Sequence, residues 1–556
     1  MRTVKKLVVF LLALSMVLGC AACSSSDGGG SGASNGSNSG AKIINVMLET
    51  PVESLDPQLA TDGTSFEIIC DYTDGLMQMD SEGAPVNALC ESYEVSADGL
   101  KYTFKIRKDA NWSNGTPVTA SDFVFGWQRA VDPKVASEYS FILSDIGQIV
   151  NAQDIIDGKK DKSELGVKAV DEKTLEVNLN VPVSYFLSLL YFPTFYPVNE
   201  EFYNKCGDTF GTSPETTLAN GAFILTDYVP AATSFSLKKN DKYYDKDRVK
   251  LDGLNYQVIQ DSQQALMSYQ TGAVDIVLLN GEQVDQVKND PEFRAIGAGY
   301  LWYVSPNIAG CKELANLNIR YALTFAIDRS AITESVLKDG SFPSYTAVPA
   351  EFATGPDGTD FSKDQEKYKE YVGFDKAKAK EYWEKGKSEL GISSLELEMK
   401  VDADDAPQKV AQVLKEQWET ALPGLTVTIV IEPKKQRVND MVTGNFQLGL
   451  TRWGPDYADP MTYLSMWVTG NDSTNYGRWS NAEFDSIIEE CTTGALCTDP
   501  KGRWAKMYDA EKIAMQEAVI FPLYTQCNAE MISSKIKGLE CHPVAINRVF
   551  KNATKE

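Results

Sequence analysis

The chain has 556 residues, 43 % apolar and 23 % charged, the balance of an ordinary globular protein and not of a disordered one. That length suits about two to four domains. The net charge is −24, or −27 without the first nineteen residues, which hold Arg2, Lys5 and Lys6 and no acid; so acidic a surface repels phosphate backbones and anionic headgroups, which excludes nucleic acid as an expected partner.

The chain opens on MRTVKK, a basic stretch, and an apolar run of 13 residues, LVVFLLALSMVLG. The run is shorter than the about 20 residues of a membrane span. It is similar to a bacterial lipoprotein signal, with Val17-Leu18-Gly19 in the place of the lipobox. Residues 1–19 are therefore expected to be a signal peptide and Cys20 the lipidated residue, with Cys23 as the alternative. Residues 20–41 form a Gly/Ser/Asn tether with little to bury. The body begins near Lys42.

Two local patterns carry no chemistry. CAAC at 20–23 has redox spacing and GASNG at 32–36 fits a nucleophile elbow, but neither sits on a strand-to-helix turn. The other cysteines, at 70, 90, 206, 311, 491, 497, 527 and 541, lack metal-ligand spacing; Cys491 and Cys497 either pair across a short loop or stay free and buried.

Ile43–Glu49 reads as an apolar strand, followed by turns at Pro51, Asp56-Pro57 and Asp62-Gly63. SFEIICDYTDG is an amphipathic helix ending near Asp74-Gly75. A strand-rich section follows, with alternating YTFKI at 102–106, an Asn114-Gly115 turn and a capping box, Thr119 to Asp122, opening a helix over FVFGWQRAV. A strand pair brackets Asp171-Glu172. From about residue 250 the period changes: 254–279 reads strand, helix, strand, Asn318–Leu337 reads as one helix, and 395–432 repeats strand, helix, strand. Two α/β sections separated by a strand-rich insert predict lobes facing one another.

The chemistry of several enzyme classes is missing. His542 is the single histidine, which leaves no base for a Ser-His or Cys-His mechanism and too few imidazoles for a His-rich metal site. It precedes Pro543 and reads as structural. No phosphate-binding GxxxxGK[ST] loop, dinucleotide GxGxxG or EF-hand pattern occurs. Neither metal nor cofactor is expected. A paired-carboxylate hydrolase stays formally open.

Four stretches, in this order, resemble the oligopeptide-binding lipoproteins of ABC importers, solute-binding protein family 5: SYEVSADGLKYTFKIRKDANWSNGTPVTASDFVFGWQR, NGAFILTDYVPAATSFSLKKNDKYYDKD, NIRYALTFAIDR and RWGPDYADP. The resemblance runs from about Ile43 to Phe550. It implies an α/β, two-lobed periplasmic-binding-protein-like flytrap of class II type with an extra inserted domain. Lobe I would take 42–73, 200–303 and 520–556, the inserted domain II 74–199, and lobe II 304–519. It also implies a monomeric, non-enzymatic receptor, lipid-anchored outside the cytoplasmic membrane (on the periplasmic side in a Gram-negative cell), that passes oligopeptides to permease subunits. The alternative is the same scaffold holding an oligosaccharide, an opine or a metal chelate.

The stretch TRWGPDYADP sets two carboxylates among rings, and the residues alone allow either a solvated turn or a pocket for a cation. By the resemblance, Asp456 grips the peptide ammonium. A carboxylate screened by Trp453 and Tyr457 can accept several charge-assisted bonds of about 1.5–3 kcal/mol each. Backbone from Arg452 to Gly454 would pair with the peptide as an added strand. Thr61, Asp62 and Gly63 would line its other edge, and Tyr139 and Asn475 are further carry-overs. Asp459 reads as the cap of helix MTYLSMW. Lys434, Lys435 and the Arg452 side chain could receive a carboxylate, but read first as a solvated basic face. Leu450 stands where some relatives that prefer short peptides place a cation, so longer or variable peptides are expected.

Overall fold

The computed structural model describes residues 40–81 and 83–556; the expected signal and tether up to residue 39, with Cys20 and Cys23, lie outside them. Strand β1 (Ile43–Leu48) is apolar on both faces and pairs in parallel on both sides, as interior strands of an α/β sheet do. Helix α1 (Gly63–Tyr72) starts at Asp62, whose carboxylate accepts from the Ser65 amide at 2.9 Å and the Ser65 hydroxyl at 2.6 Å. It ends just short of the expected Asp74-Gly75, with Thr73 already extended.

The insert builds a sheet of its own. Strands β2 (Cys90–Val95) and β3 (Lys101–Ile106) precede helix α2 (Ala120–Val131), and β4 (Val167–Asp171) and β5 (Thr174–Asn178) follow it; the antiparallel order is β2-β3-β5-β4. Alternation along β3 turns Tyr102, Phe104 and Ile106 inward. The capping box forms as expected: the Asp122 amide donates to the Thr119 hydroxyl at 3.3 Å and the Thr119 amide to the Asp122 carboxylate at 2.8 Å.

The main sheet has eleven strands. After β1 come β6 (Phe223–Asp227), β7 (Ser234–Lys239), β8 (Gly253–Val258), β9 (Ile276–Leu279), β10 (Phe293–Pro306), β11 (Leu395–Asp402), β12 (Leu425–Glu432), β13 (Leu448–Trp453) and β14 (Phe521–Ile532), with Phe342–Pro343 attached to β14. Their order is β12-β11-β13-β10-β14-β9-β1-β8-β7-β6. Helix α3 (Ser262–Gln270) crosses from β8 to β9, and α5 (Asp405–Ala421) from β11 to β12, with α4 (Leu317–Phe325) between these units in the chain. Helix α6 (Lys434–Val442) crosses from β12 to β13. The first two of these crossings are the strand-helix-strand units read from periodicity, and the third is not among them.

Two long strands belong to both halves of this sheet. β10 pairs through Phe293–Gly297 with Met531–Cys527 of β14, then through Leu301–Pro306 with Trp453–Leu448 of β13. Its register with β14 shifts between Gly297 and Leu301. Gly299 lies in that break with φ 70°, and a Cβ there would come within 2.3 Å of the Pro543 carbonyl oxygen, so both backbone and space demand glycine. The registers aim the carboxyl ends of β1, β8 and β9 in one half, and of β11, β12 and β13 in the other, toward this break.

One expected helix is broken. Asn318–Leu337 divides into α4, a turn, Arg329–Ala331 and a wider π turn over Ile332–Leu337. The reason is Arg329, fully buried, whose guanidinium donates to the carbonyls of Pro522 at 2.6 Å and Ile327 at 3.2 Å while Asp328 recaps the chain. The described cysteines are all free thiols, Cys491 and Cys497 included. Among the described residues no helix is long and apolar enough to cross a membrane.

Candidate functional site

Open α/β sheets place their sites beyond the carboxyl ends of their strands. Here two sets of such ends converge on the break in β10. The residues that leave them are Glu49 after β1, Asp404 after β11, Lys434 after β12, and Arg452 to Asp456 at the end of β13.

The loop after β13 is held rigidly. The Asp456 amide donates to the Thr462 hydroxyl at 3.2 Å. The Tyr463 hydroxyl donates to the Gly299 carbonyl at 2.6 Å and reaches the Trp453 carbonyl at 3.3 Å, which ties this loop to the break in β10. Asp459 forms a buried two-point ion pair with Arg503, at 2.6 and 2.9 Å, and accepts from the Met461 amide at 3.0 Å. The expected cap is therefore present, with a second and stronger partner beside it.

Asp456 has no such partner. Among the described residues no cation lies within ion-pair distance of its carboxylate, and its one side-chain contact is the Tyr139 hydroxyl at 3.5 Å, the outer limit of a hydrogen bond. Loss of water raises its pKa to about 7, against a lowering contribution from Tyr139. An anionic oxygen pair with unused acceptor sites and no counter-ion is chemically a receptor for a donor-rich cation. Tyr139 itself is set by rings, with Phe66 at 5.6 Å and Phe192 at 4.9 Å.

The remaining expected residues divide. Trp453 is half-buried and Gly454 lies against Tyr300: a Cβ on Gly454 would meet that ring at 2.5 Å. Strand β13 pairs with β11 only at Leu448 and Gly449 among the described residues, so its edge from Thr451 onward carries no strand on that side. Gly63 faces the same Tyr300, whose hydroxyl would lie 3.7 Å from a Cβ added there, while the Asp62 carboxylate is taken up in capping α1 and Thr61 is half-buried beside it. Tyr457 is a core ring, stacked on Tyr185 at 4.8 Å with 19° between planes.

Two readings need correction. Asn475 does not present its side chain to this space: it is buried, its amide donates to the carbonyls of Trp467, Val468 and Trp479 at 3.3, 3.2 and 2.8 Å, and its oxygen accepts from the Trp479 amide at 3.1 Å. It clamps the 467–479 loop. Arg452 is not on a solvated face either. Its guanidinium lies 4.6 Å over the Tyr300 ring and 5.4 Å from that of Trp302, and donates to Gln526 at 3.0 Å.

Tyr300 and Glu49 escaped the reading of the sequence. In AIGAGYLWYVSP, Tyr300 looks like any strand aromatic; only the Gly297-Ala298-Gly299 run before it hints at a bend. His542, read as structural, is buried, and burial holds its pKa low.

Comparison with known proteins gives one consistent family. The model of the bacterial extracellular solute-binding proteins, family 5, middle region, matches residues 84–475. A dipeptide-binding protein of Lactococcus lactis is 35 % identical over 528 residues, 92 % of this chain and 94 % of the relative. The substrate-binding domain of an oligopeptide ABC transporter from Bacillus anthracis superposes with TM-score 0.82 at 38 % identity, over 93 % of this chain and 99 % of that one. A Listeria monocytogenes OppA bound to peptide gives TM-score 0.81 at 35 % identity, again over 93 % and 99 %.

Proposed function

This chain belongs to the bacterial extracellular solute-binding proteins of family 5, and from that premise we propose that it captures oligopeptides outside the cytoplasmic membrane for an ABC importer, holding the peptide ammonium on Asp456. The carrying observation is the unpaired state of that carboxylate at the meeting of the two sets of strand ends.

Each part of the site has a task in this reading. The ammonium offers three donors to a desolvated anion, and the pair is worth more there than in water. Backbone of Arg452 to Gly454, on the unpaired edge of β13, takes the peptide as an added strand, which binds any sequence because every peptide has the same main chain. The stretch from Thr61 to Gly63 borders the other side, and Tyr300 sits between the two edges. Ligand contacts with both halves favour the closed state over the open one.

The lobes are assigned as 42–73 with 200–303 and 520–556, and as 304–519, with 74–199 as the added domain. The chain acts by binding and not by catalysis, as a monomer, and a diacylglycerol on Cys20 would anchor it. Calorimetry with one peptide carrying a free or an acetylated N-terminus tests the reading. The free form is expected to bind at least tenfold tighter, the factor that about 1.4 kcal/mol produces. Equal affinities would remove Asp456 from this role.

A further inference from the structure

Arg452 and Lys434 stand out once the ammonium end is assigned. Most buried or half-buried cations of the chain have anionic partners: Arg129 with Asp56 at 2.7 Å, Arg437 with Asp402 at 2.7 Å, Arg503 with Asp459 at 2.6 Å and Lys400 with Asp440 at 2.5 Å. Arg452 has none within 4.0 Å among the described residues. One of its five N–H donors is used, on a Gln526 oxygen that already accepts from the Trp302 indole at 2.8 Å. Lys434, exposed at the same edge, makes neither an ion pair nor a side-chain hydrogen bond among the described residues.

The topology explains why the two meet. β12 lies beside β11, and β11 beside β13, all three parallel, so Lys434 and Arg452 leave the same edge of the sheet two strands apart. Of the charges around Lys434 the like charge of Arg452 acts most strongly, and the anions Asp402 and Asp62 act less. Glu49 and Asp404 face the same space without reaching ion-pair distance of either cation. Two like charges at the edge of a peptide site, neither neutralised by the protein, are arranged for an anion that arrives with the ligand.

We infer that Arg452 and Lys434 form an anion subsite that selects peptides bearing a carboxylate near the residue held at Asp456. This rests on the peptide reading above and adds a choice among peptides. Four residues of extended chain span about 13 Å, so the carboxylate belongs within about the first four residues of the guest. Either an acidic side chain or the C-terminal carboxylate of a short peptide supplies it. The guanidinium, stacked on Tyr300 and free at its other donors, takes the carboxylate in two-point fashion, and Lys434 adds a point charge. Glu49 works against such a guest.

The test is calorimetry on the purified full-length protein with alanine tetrapeptides. One arm replaces alanine by glutamate or glutamine at positions two, three and four; the other compares tripeptides and tetrapeptides with free or amidated C-termini. At least one carboxylate is expected to improve affinity about tenfold over its neutral counterpart. The double variant Arg452→Gln, Lys434→Gln is expected to erase that preference, Arg452→Lys to keep part of it, and Glu49→Gln to enlarge it. No carboxylate preference in the native protein, or one unchanged in the double variant, overturns the inference while peptides still bind through a free N-terminus. A preference for lysine over glutamate also overturns it and assigns the subsite to Glu49. Failure of every peptide to bind overturns both readings at once. Melting temperatures of the variants, expected within a few degrees of the native value, separate lost selectivity from lost fold.

Discussion

The hydroxyl of Tyr139 stands 3.5 Å from a carboxylate oxygen of Asp456, a contact that closes 317 residues of chain. It joins the segment between α2 and β4 to the loop after β13, and it opposes the rise in pKa that loss of water gives the residue proposed to hold the ligand. With its pKa near 7, Asp456 is part-protonated in the empty protein at neutral pH. An ammonium guest needs it ionised. Affinity for peptides is therefore expected to fall as pH drops below about 7, approaching tenfold per unit, because binding must then expel a proton; above about 8 it falls again as the peptide amine loses its charge. Calorimetry in buffers of different ionisation enthalpy measures the released proton directly. A flat profile from pH 5 to 7 would contradict the assignment.

Tyr139→Phe removes the group that lowers the Asp456 pKa. The acid limb of the affinity profile is expected to move to higher pH, while the aromatic packing against Phe66 and Phe192 persists. A uniform loss of affinity without displacement of the profile would make Tyr139 a packing residue only.

Asp456→Ala is expected to weaken peptide binding by about 2–5 kcal/mol, since it removes the partner of a charge taken out of water. The same substitution relieves an uncompensated, half-buried carboxylate in the empty protein. Because the folded pKa is raised, that carboxylate costs stability as pH rises from about 4 toward 7, so the variant should melt no lower than the native protein at pH 8. Loss of both binding and stability would mean that the loop itself depends on Asp456.

Asp459→Asn should behave in the opposite way. Its pair with Arg503 is buried, with side-chain exposures of 8 % and 4 %, and breaking it strands the guanidinium at a cost of about 3–5 kcal/mol. Melting temperature is expected to fall markedly, while the fraction still folded binds peptide with near-native affinity. Asn475→Ala belongs to the same class, because its side chain bonds only within the 467–479 loop.

Gly454→Ala places a methyl 2.5 Å from the Tyr300 ring. The ring must move into the space of the guest, and affinity is expected to drop about tenfold or more with a smaller change in stability. Tyr300→Ala in the same molecule should recover part of the loss, a coupling that a double-mutant cycle reads directly.

How much of this was legible depended on distance along the chain. The strand-helix-strand units at 254–279 and 395–432 and the Thr119–Asp122 cap are local, so periodicity and spacing expressed them. Asp456 was singled out by the resemblance, since the rings beside it in sequence leave a solvated turn and a cation pocket equally open. The break in β10 exists only through pairing of Leu301 with Thr525 and of Gly297 with Cys527, and no local pattern encodes it. Arg452 was misread for the same reason: Tyr300 and Trp302, which shelter it, belong to another strand. Asn475 shows the converse error, where a resemblance marks a position without revealing what its side chain holds. The split of 318–337 follows from one arginine whose partner, the Pro522 carbonyl, is remote in sequence.

Because β10 and β14 each pass from one half of the sheet to the other and pair on both sides of the break, the halves are coupled by a hydrogen-bonded leaf spring instead of a slack cord. Bending then concentrates where the ladder slips around Gly299, and the elastic penalty grows with every degree of rotation. A stiffer residue at that spot would shift the resting angle, changing how long a captured guest stays without altering a single group that touches it.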